Sequence, residues 1–165
     1  MPVIRLRIAE PTYTDVYNVA RHMRSDDFRE FSGVHDTDDP IELARKLADT
    51  YHSYSGVMVG HDDRGAVCVG GTIEARPNVI TLLFFANDRF PGIALPITRF
   101  IRNNLFPKLV DRGIHRIEAV SMAAHTQSHA WLKTIGLTSE TEPLRGFGKR
   151  GEAYIQFSWV AADVG

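Results

Sequence analysis

The segment "FFANDRFPGIALPITRF", Phe84 to Phe100, joins an apolar stretch to an apolar helical pattern through an arginine, a proline and a glycine. Where a strand feeds a helix, the first N–H groups of the helix lack internal partners and point outward beside the positive end of its dipole. Such a junction is a natural anion site. Gly92 lets the backbone approach a ligand with no Cβ in the way, Ala94 keeps the next turn open, and Arg89 would add charge at the rim. The chemistry expected there is phosphate binding, with one donor missing because Pro91 has no N–H. Two other stretches hold reactive types. "HDTDD" and "HDDRG" carry potential metal ligands, yet acidic residues at turns and helix N-caps account for both, and no metal site is expected. Ser121 and Ser128 lack a nucleophile-elbow context, which argues against a serine hydrolase.

The elements that must position this junction follow from periodicity. Val3 to Ile8 alternates as a half-buried strand, stopped by Pro11. From Thr12, with Asp15 three residues on, Val16, Val19, Ala20 and Met23 recur at helical spacing. "SDDFREFSGVHDTDDP" reads as irregular and acidic, after which Asp39 caps a helix with Pro40 at its first position and Ile41, Ala44, Leu47, Ala48 and Tyr51 inside. "GVMVGH", "AVCVGGTIE" and "NVITLLFF" read as a three-strand meander through turns "DDRG" and "ARP". Gly92 to about Arg112 reads as one helix ended by Gly113, "HRIEAVSMA" as a strand, and "TQSHAWLKTIG" as a short helix ended by Gly136. Leu137 to Leu144 and Ala153 to Val160 complete seven strands, joined through "RGFGKRGE". The expected class is α/β (α+β) with a mixed sheet.

A chain of 165 residues fits one domain, residues 1–165. Nineteen basic against twenty acidic side chains give a net charge of -1, so nothing global favours a nucleic-acid partner. Cys68 is the single cysteine, which rules out an intrachain disulfide framework and fits a reducing, cytoplasmic setting. No apolar run approaches the roughly 20 residues that cross a bilayer, and "MPVIRLRIAEPTYTD" lacks a signal-peptide core. Exposed strand edges would permit a homodimer.

"RFPGIA" matches the Q/R-x-x-G-x-G/A motif of the GCN5-related N-acetyltransferase (GNAT) superfamily, and it follows the fourth strand, as in that family. "HRIEAVSMAAHTQSHAWLKTIGLTSE" is similar to the family's fifth strand, next helix and terminal glycine turn, and the order of elements resembles the family from Val3 to Val160. "MRSDDFREF" and "HAWLKTIGL" further resemble small phage-encoded members. The resemblance implies a mostly antiparallel sheet of about seven strands, splayed between strands four and five and flanked by about four helices. It also implies acetyl-coenzyme A as cosubstrate. Its diphosphate would rest on the amides of Arg89, Phe90, Gly92, Ile93 and Ala94, with the pantetheine arm along Phe84, Phe85 and Ala86. His125 stands where a polar residue, usually Asn, contacts the cofactor, and Leu132 stands where many members have the tyrosine that protonates the leaving thiolate.

Acyl transfer from a thioester to an amine needs a neutral amine, a donor for the developing oxyanion and, less critically, a proton for a thiolate that leaves readily by itself. A main-chain N–H near Phe84 or Phe85 is the expected donor. Glu74, His125 and His129 are the candidate bases, against the readings of a solvated strand end, a helix cap and a helix-surface residue. The acceptor, by resemblance, meets roughly Met23 to Pro40 and Arg145 to Glu152. Asp26, Asp27, Glu30, Asp36, Asp38 and Asp39 in the first stretch would draw a cationic amine. The functional expectation is an N-acetyltransferase, with a non-catalytic phage structural or host-protein-binding protein of the same fold as the alternative.

Overall fold

In the computed structural model, residues 5–164 are described. Strand β1 (Arg7–Ala9) is followed by helices α1 (Tyr13–Arg21), α2 (Ser25–Ser32) and α3 (Pro40–Tyr51). Strands β2 (Val57–Asp62), β3 (Gly65–Arg76) and β4 (Val79–Ala86) come next, then a 3₁₀ turn at Phe90–Gly92 and helix α4 (Ala94–Phe100). A π-helical turn at Ile101–Leu105 leads into α5 (Phe106–Asp111), followed by β5 (Arg116–Met122), α6 (Thr126–Ile135), β6 (Thr138–Ser139) and β7 (Tyr154–Val160). The strands form one open mixed sheet in the order β1-β2-β3-β4-β5-β7-β6. β4 and β5 are parallel, from Val79 opposite Arg116 to Thr81 opposite Glu118, whereas β1–β2, β2–β3, β5–β7 and β6–β7 are antiparallel.

The chain divides into two compact units, one holding residues up to Thr72 with Leu83–Ile97, the other Ile73–Leu82 with the chain from Thr98 onward. In the first, α1 and α3 bury Val16, Val19, Ala20, Ala44, Leu47 and Ala48, which helical spacing picked out, and also Leu43, while Ile41, expected inside, is exposed and Tyr51 is half-buried. Both helices are capped as their sequences require. The Thr12 hydroxyl accepts the Asp15 N–H at 3.1 Å, and the Asp39 carboxylate accepts the Ile41 N–H at 2.9 Å. Gly71 is needed for close approach between β2 and β3, since a Cβ there would lie 2.3 Å from the Gly56 carbonyl oxygen. In the second unit Ile80, Leu109, Ile117, Ala119, Leu132, Ile135, Leu137 and Phe157 form the core.

Four sequence expectations change. The first strand covers Arg7–Ala9, and its predicted start at Val3 and Ile4 lies outside the described residues. "SDDFREFS" is helical rather than irregular; its buried residues are Asp27 and Ser32, so no apolar stripe advertised it. The single helix predicted from Gly92 to Arg112 is interrupted by the π turn, where the Phe106 N–H reaches back to the Ile101 carbonyl. Pro107, just beyond, has no N–H and its ring collides with an α-helical carbonyl four residues earlier, which the wider turn relieves. The strand expected over Leu137–Leu144 shrinks to Thr138–Ser139 plus an isolated bridge from Leu144 to Tyr154.

Candidate functional site

The exit of β4 sits in the first unit, between β3 on one edge and the α1–α2 connection on the other. The Asn87 N–H donates to the Val67 carbonyl of β3 at 2.9 Å, and the Leu83 carbonyl faces Gly70 of the same strand. Because backbone groups alternate sides along a strand, the amides and carbonyls of Phe84 and Ala86 lie on the edge away from β3. There the Ala86 carbonyl accepts the Arg24 N–H at 2.9 Å, and the Ala86 N–H donates to the Asp27 carboxylate at 3.0 Å. Asp27 also accepts both Nε and Nη2 of Arg24, at 3.0 and 3.1 Å. The Arg24 guanidinium lies 5.0 Å from the centre of the Phe90 ring, itself edge-to-face with Phe84 at 5.0 Å. Phe31 meets the fully buried Phe85 edge-to-face at 5.3 Å.

Past the strand, Asn87 organises the turn. Its side chain accepts the Arg89 N–H and donates to the Ala66 carbonyl, at 3.0 and 3.1 Å, and its own carbonyl accepts the Phe90 N–H at 3.1 Å. The Gly92 and Ile93 N–H groups donate to Arg89 and Phe90 carbonyls at 3.1 and 2.9 Å. The amides of Arg89, Phe90, Gly92 and Ile93 are thus all used inside the turn, rather than pointing outward as the sequence expectation had it. Arg89 differs likewise: its Nε donates to Asp62 at 2.9 Å and its Nη2 to the Ala66 carbonyl at 3.1 Å, so its charge is committed to the β2–β3 turn. Gly92 is exposed and in a helical turn, and it is not among the positive-φ residues. Ile93 is buried and Ala94, half-buried, opens α4.

The candidate bases belong to the second unit. Glu74 is exposed near the end of β3. His125 is buried at the start of α6, where its side chain makes no capping bond. His129 donates through Nε2 to the Met122 carbonyl at 2.9 Å, which leaves Nδ1 of the neutral ring as its acceptor. Leu132, in place of a tyrosine, is core. Neither histidine–aspartate stretch forms a metal cluster among the described residues. His61 bonds Asp15 at 3.1 Å, Asp62 takes Arg89 and the Arg64 N–H, and Asp39 caps α3. Burial pushes the Cys68 thiol up to about 12, which excludes a thiolate nucleophile at neutral pH. No helix among the described residues is long and apolar enough to cross a membrane.

The expected acidic attraction for an acceptor is weaker than its sequence suggests. Asp26 pairs with Arg29, Asp27 with Arg24, and Asp36 with Lys46. The segment Arg145 to Glu152 is an ordered turn, with the Gly148 N–H donating to the Glu152 carbonyl and Phe147 against Tyr154 at 4.9 Å.

No family model and no curated protein matches the sequence. Solved structures do. An acetyltransferase of the GNAT family from Bacillus anthracis superposes with a TM-score of 0.69 over 97% of both chains, at 14% identity. The fold is that of the GCN5-related N-acetyltransferases. A GCN5-related N-acetyltransferase from Kribbella flavida matches at a TM-score of 0.68, with 13% identity over 96% of this chain and 98% of that one. The ribosomal-protein-S18-alanine N-acetyltransferase from Escherichia coli matches at 0.64, with 14% identity over 98% and 97%. Sequence reading missed Arg24 in this GNAT fold, and it placed Asp27 only among acidic residues facing an acceptor, whereas both hold the exit of β4. Their partner Ala86 is far along the chain, and no local pattern links them.

Proposed function

We propose that this chain is an acetyl-coenzyme A dependent N-acetyltransferase that moves an acetyl group directly to a primary amine. The observation that carries the reading is the Arg-x-x-Gly-x-Ala turn directly after β4, in a chain with this fold over nearly its whole length. Named acetyltransferases among the structural neighbours, one of them acting on a ribosomal-protein alanine, support it. Acetyl-coenzyme A supplies an acetyl group already activated as a thioester, and its thiolate leaves without an acid, so Leu132 is compatible with turnover.

The residues at the turn suit such a cosubstrate. Gly92 is open to solvent, and the 3₁₀ contacts of the Gly92 and Ile93 amides are the kind that an anion exchanges for stronger charge-assisted bonds. The pantetheine arm runs along the β4 edge away from β3. Backbone alternation supports Phe84 as its hydrogen-bonding residue and the oxyanion donor, since Phe85 turns its backbone groups to β3 and the Ala86 polar groups are held by Arg24 and Asp27. Phe85 and Phe90 shape the surface, and Arg89 holds the turn. His125 or Glu74 is the base that takes the amine proton, directly or through water. The work belongs in a reducing, cytoplasmic setting, with a homodimer permitted.

Calorimetric titration with acetyl-coenzyme A tests the site, with micromolar affinity expected. Release of free thiol with lysine, polyamine or peptide amines then tests transfer. Absence of heat and of any thermal shift at millimolar cosubstrate refutes the reading. Among variants, His125→Ala and Glu74→Gln separate the bases: the true one loses about 10²–10⁴-fold in kcat together with the acidic limb of the pH profile, where protonation silences the base. The specific observation favouring a second reading, a non-catalytic binder of a host protein or a phage component, is Leu132 buried in the core where an acid would stand. Cosubstrate binding without thiol release from any amine would select it.

A further inference from the structure

Arg24, Asp27 and Phe31 stand at the start of and along α2 with spacings of three and four, which aligns them on one helical face. All three address the exit of β4. Arg24 reaches the Ala86 carbonyl and the Phe90 ring, Asp27 the Ala86 N–H, and Phe31 the Phe85 ring. Asp27 is only 4% exposed, and a carboxylate is buried at that level only when something holds it. Its partners include the Arg24 guanidinium and the Ala86 amide, one supplying charge and the other direction.

Resting on the acetyl-transfer reading, we infer that Asp27, clamped by Arg24, is the positioning residue of the site. It fixes the Ala86 peptide, and through the strand it fixes the Phe84 N–H that receives the thioester oxygen. Both Ala86 polar groups on that edge are occupied, so an extended arm adding to β4 is stopped before Ala86. Asp27 acts through the Ala86 peptide, its oxygens engaged by the Arg24 guanidinium and the Ala86 amide. The polar inner face of α2 serves to set this limit.

The experiment compares wild-type, Asp27→Ala and Asp27→Asn proteins well below their melting temperatures. Donor misplacement should lower the kcat of Asp27→Ala about 100-fold, while its Kd for coenzyme A, dominated by the diphosphate, stays within about threefold. Asp27→Asn keeps an oxygen for the Ala86 N–H and should recover at least tenfold of the loss. Hydrogen exchange should find the Ala86 amide protected in wild type and Asp27→Asn, and unprotected in Asp27→Ala. Wild-type kcat in folded Asp27→Ala overturns the positioning role alone, as does an Ala86 amide that remains protected. If Asp27→Ala does not fold, Asp27→Asn with a kcat as low as an Arg24→Ala variant, and an unprotected Ala86 amide, overturns it too. A wild-type protein that neither binds acetyl-coenzyme A nor releases thiol overturns the acetyl-transfer reading, and the positioning role with it.

Discussion

Arg89 is read as a strut rather than a phosphate ligand, and Arg89→Ala measures the difference. The substitution removes a 2.9 Å bond from Nε to Asp62, a 3.1 Å bond from Nη2 to the Ala66 carbonyl, and a marginal 3.5 Å contact. Charge-assisted bonds contribute about 1.5–3 kcal/mol each when deleted. Arg89 is 31% exposed, which lets solvent screen part of the attraction, while Asp62 keeps the Arg64 N–H. The net expectation is a loss of about 2 kcal/mol, or roughly 4–8 °C in Tm for a chain of this size. Burial pushes the Asp62 carboxyl up, but the Arg89 guanidinium and the Arg64 and Gly65 amides outweigh it and hold the carboxyl below its ordinary value. A depressed carboxyl stabilises the fold above its unfolded pKa of about 4, and that contribution disappears as pH falls through the folded value. The gap between wild type and Arg89→Ala should therefore be full at pH 7 and should narrow in acid below about pH 4. Urea unfolding at both pH values provides the assay. A loss under about 0.5 kcal/mol at pH 7, or a gap that does not narrow in acid, refutes the strut.

Further outcomes follow from the same geometry. Gly92→Glu adds bulk and negative charge at an exposed turn position, so it should abolish coenzyme A binding in calorimetry with little change in Tm; unchanged affinity would mean that the diphosphate lies elsewhere. Leu137→Ala should cost about 2–5 kcal/mol in denaturant unfolding, because Leu137 is fully buried among Ile135, Leu132 and Phe157.

Much of this fold could be read from alternation and helical spacing. α1 and α3 bury most of the residues that the pattern named, Val16, Val19, Ala20, Ala44, Leu47 and Ala48, because their stripes are apolar and their caps local, whereas Ile41 is exposed and Leu43 takes its place inside. α2 escaped because the side chains it turns inward include an aspartate and a serine, and hydrophobic periodicity is blind to a polar inner face. The π turn escaped because its cause is a clash of Pro107 with a carbonyl, a three-dimensional event. At the site, the β4 turn could be read from "RFPGIA", but the commitment of Arg89 to Asp62 could not, since a lone arginine beside a glycine looks like an open charge. Likewise "SDD" reads as a solvated charge run until Ala86 is brought beside it.

The π turn has a consequence for length variation. At the α-helical advance of 100° per residue, Ile101 and Leu109 would face about 80° apart; one residue absorbed in the wide turn reduces that to about 20°. Both side chains then reach the same core. The turn acts as an accommodated insertion, its surplus residue stored where it leaves the downstream face in phase. Deleting that surplus residue would give an ordinary helix with Leu109 still about 20° from Ile101 and still facing the core, so this helical segment can lose one residue without turning its buried face away.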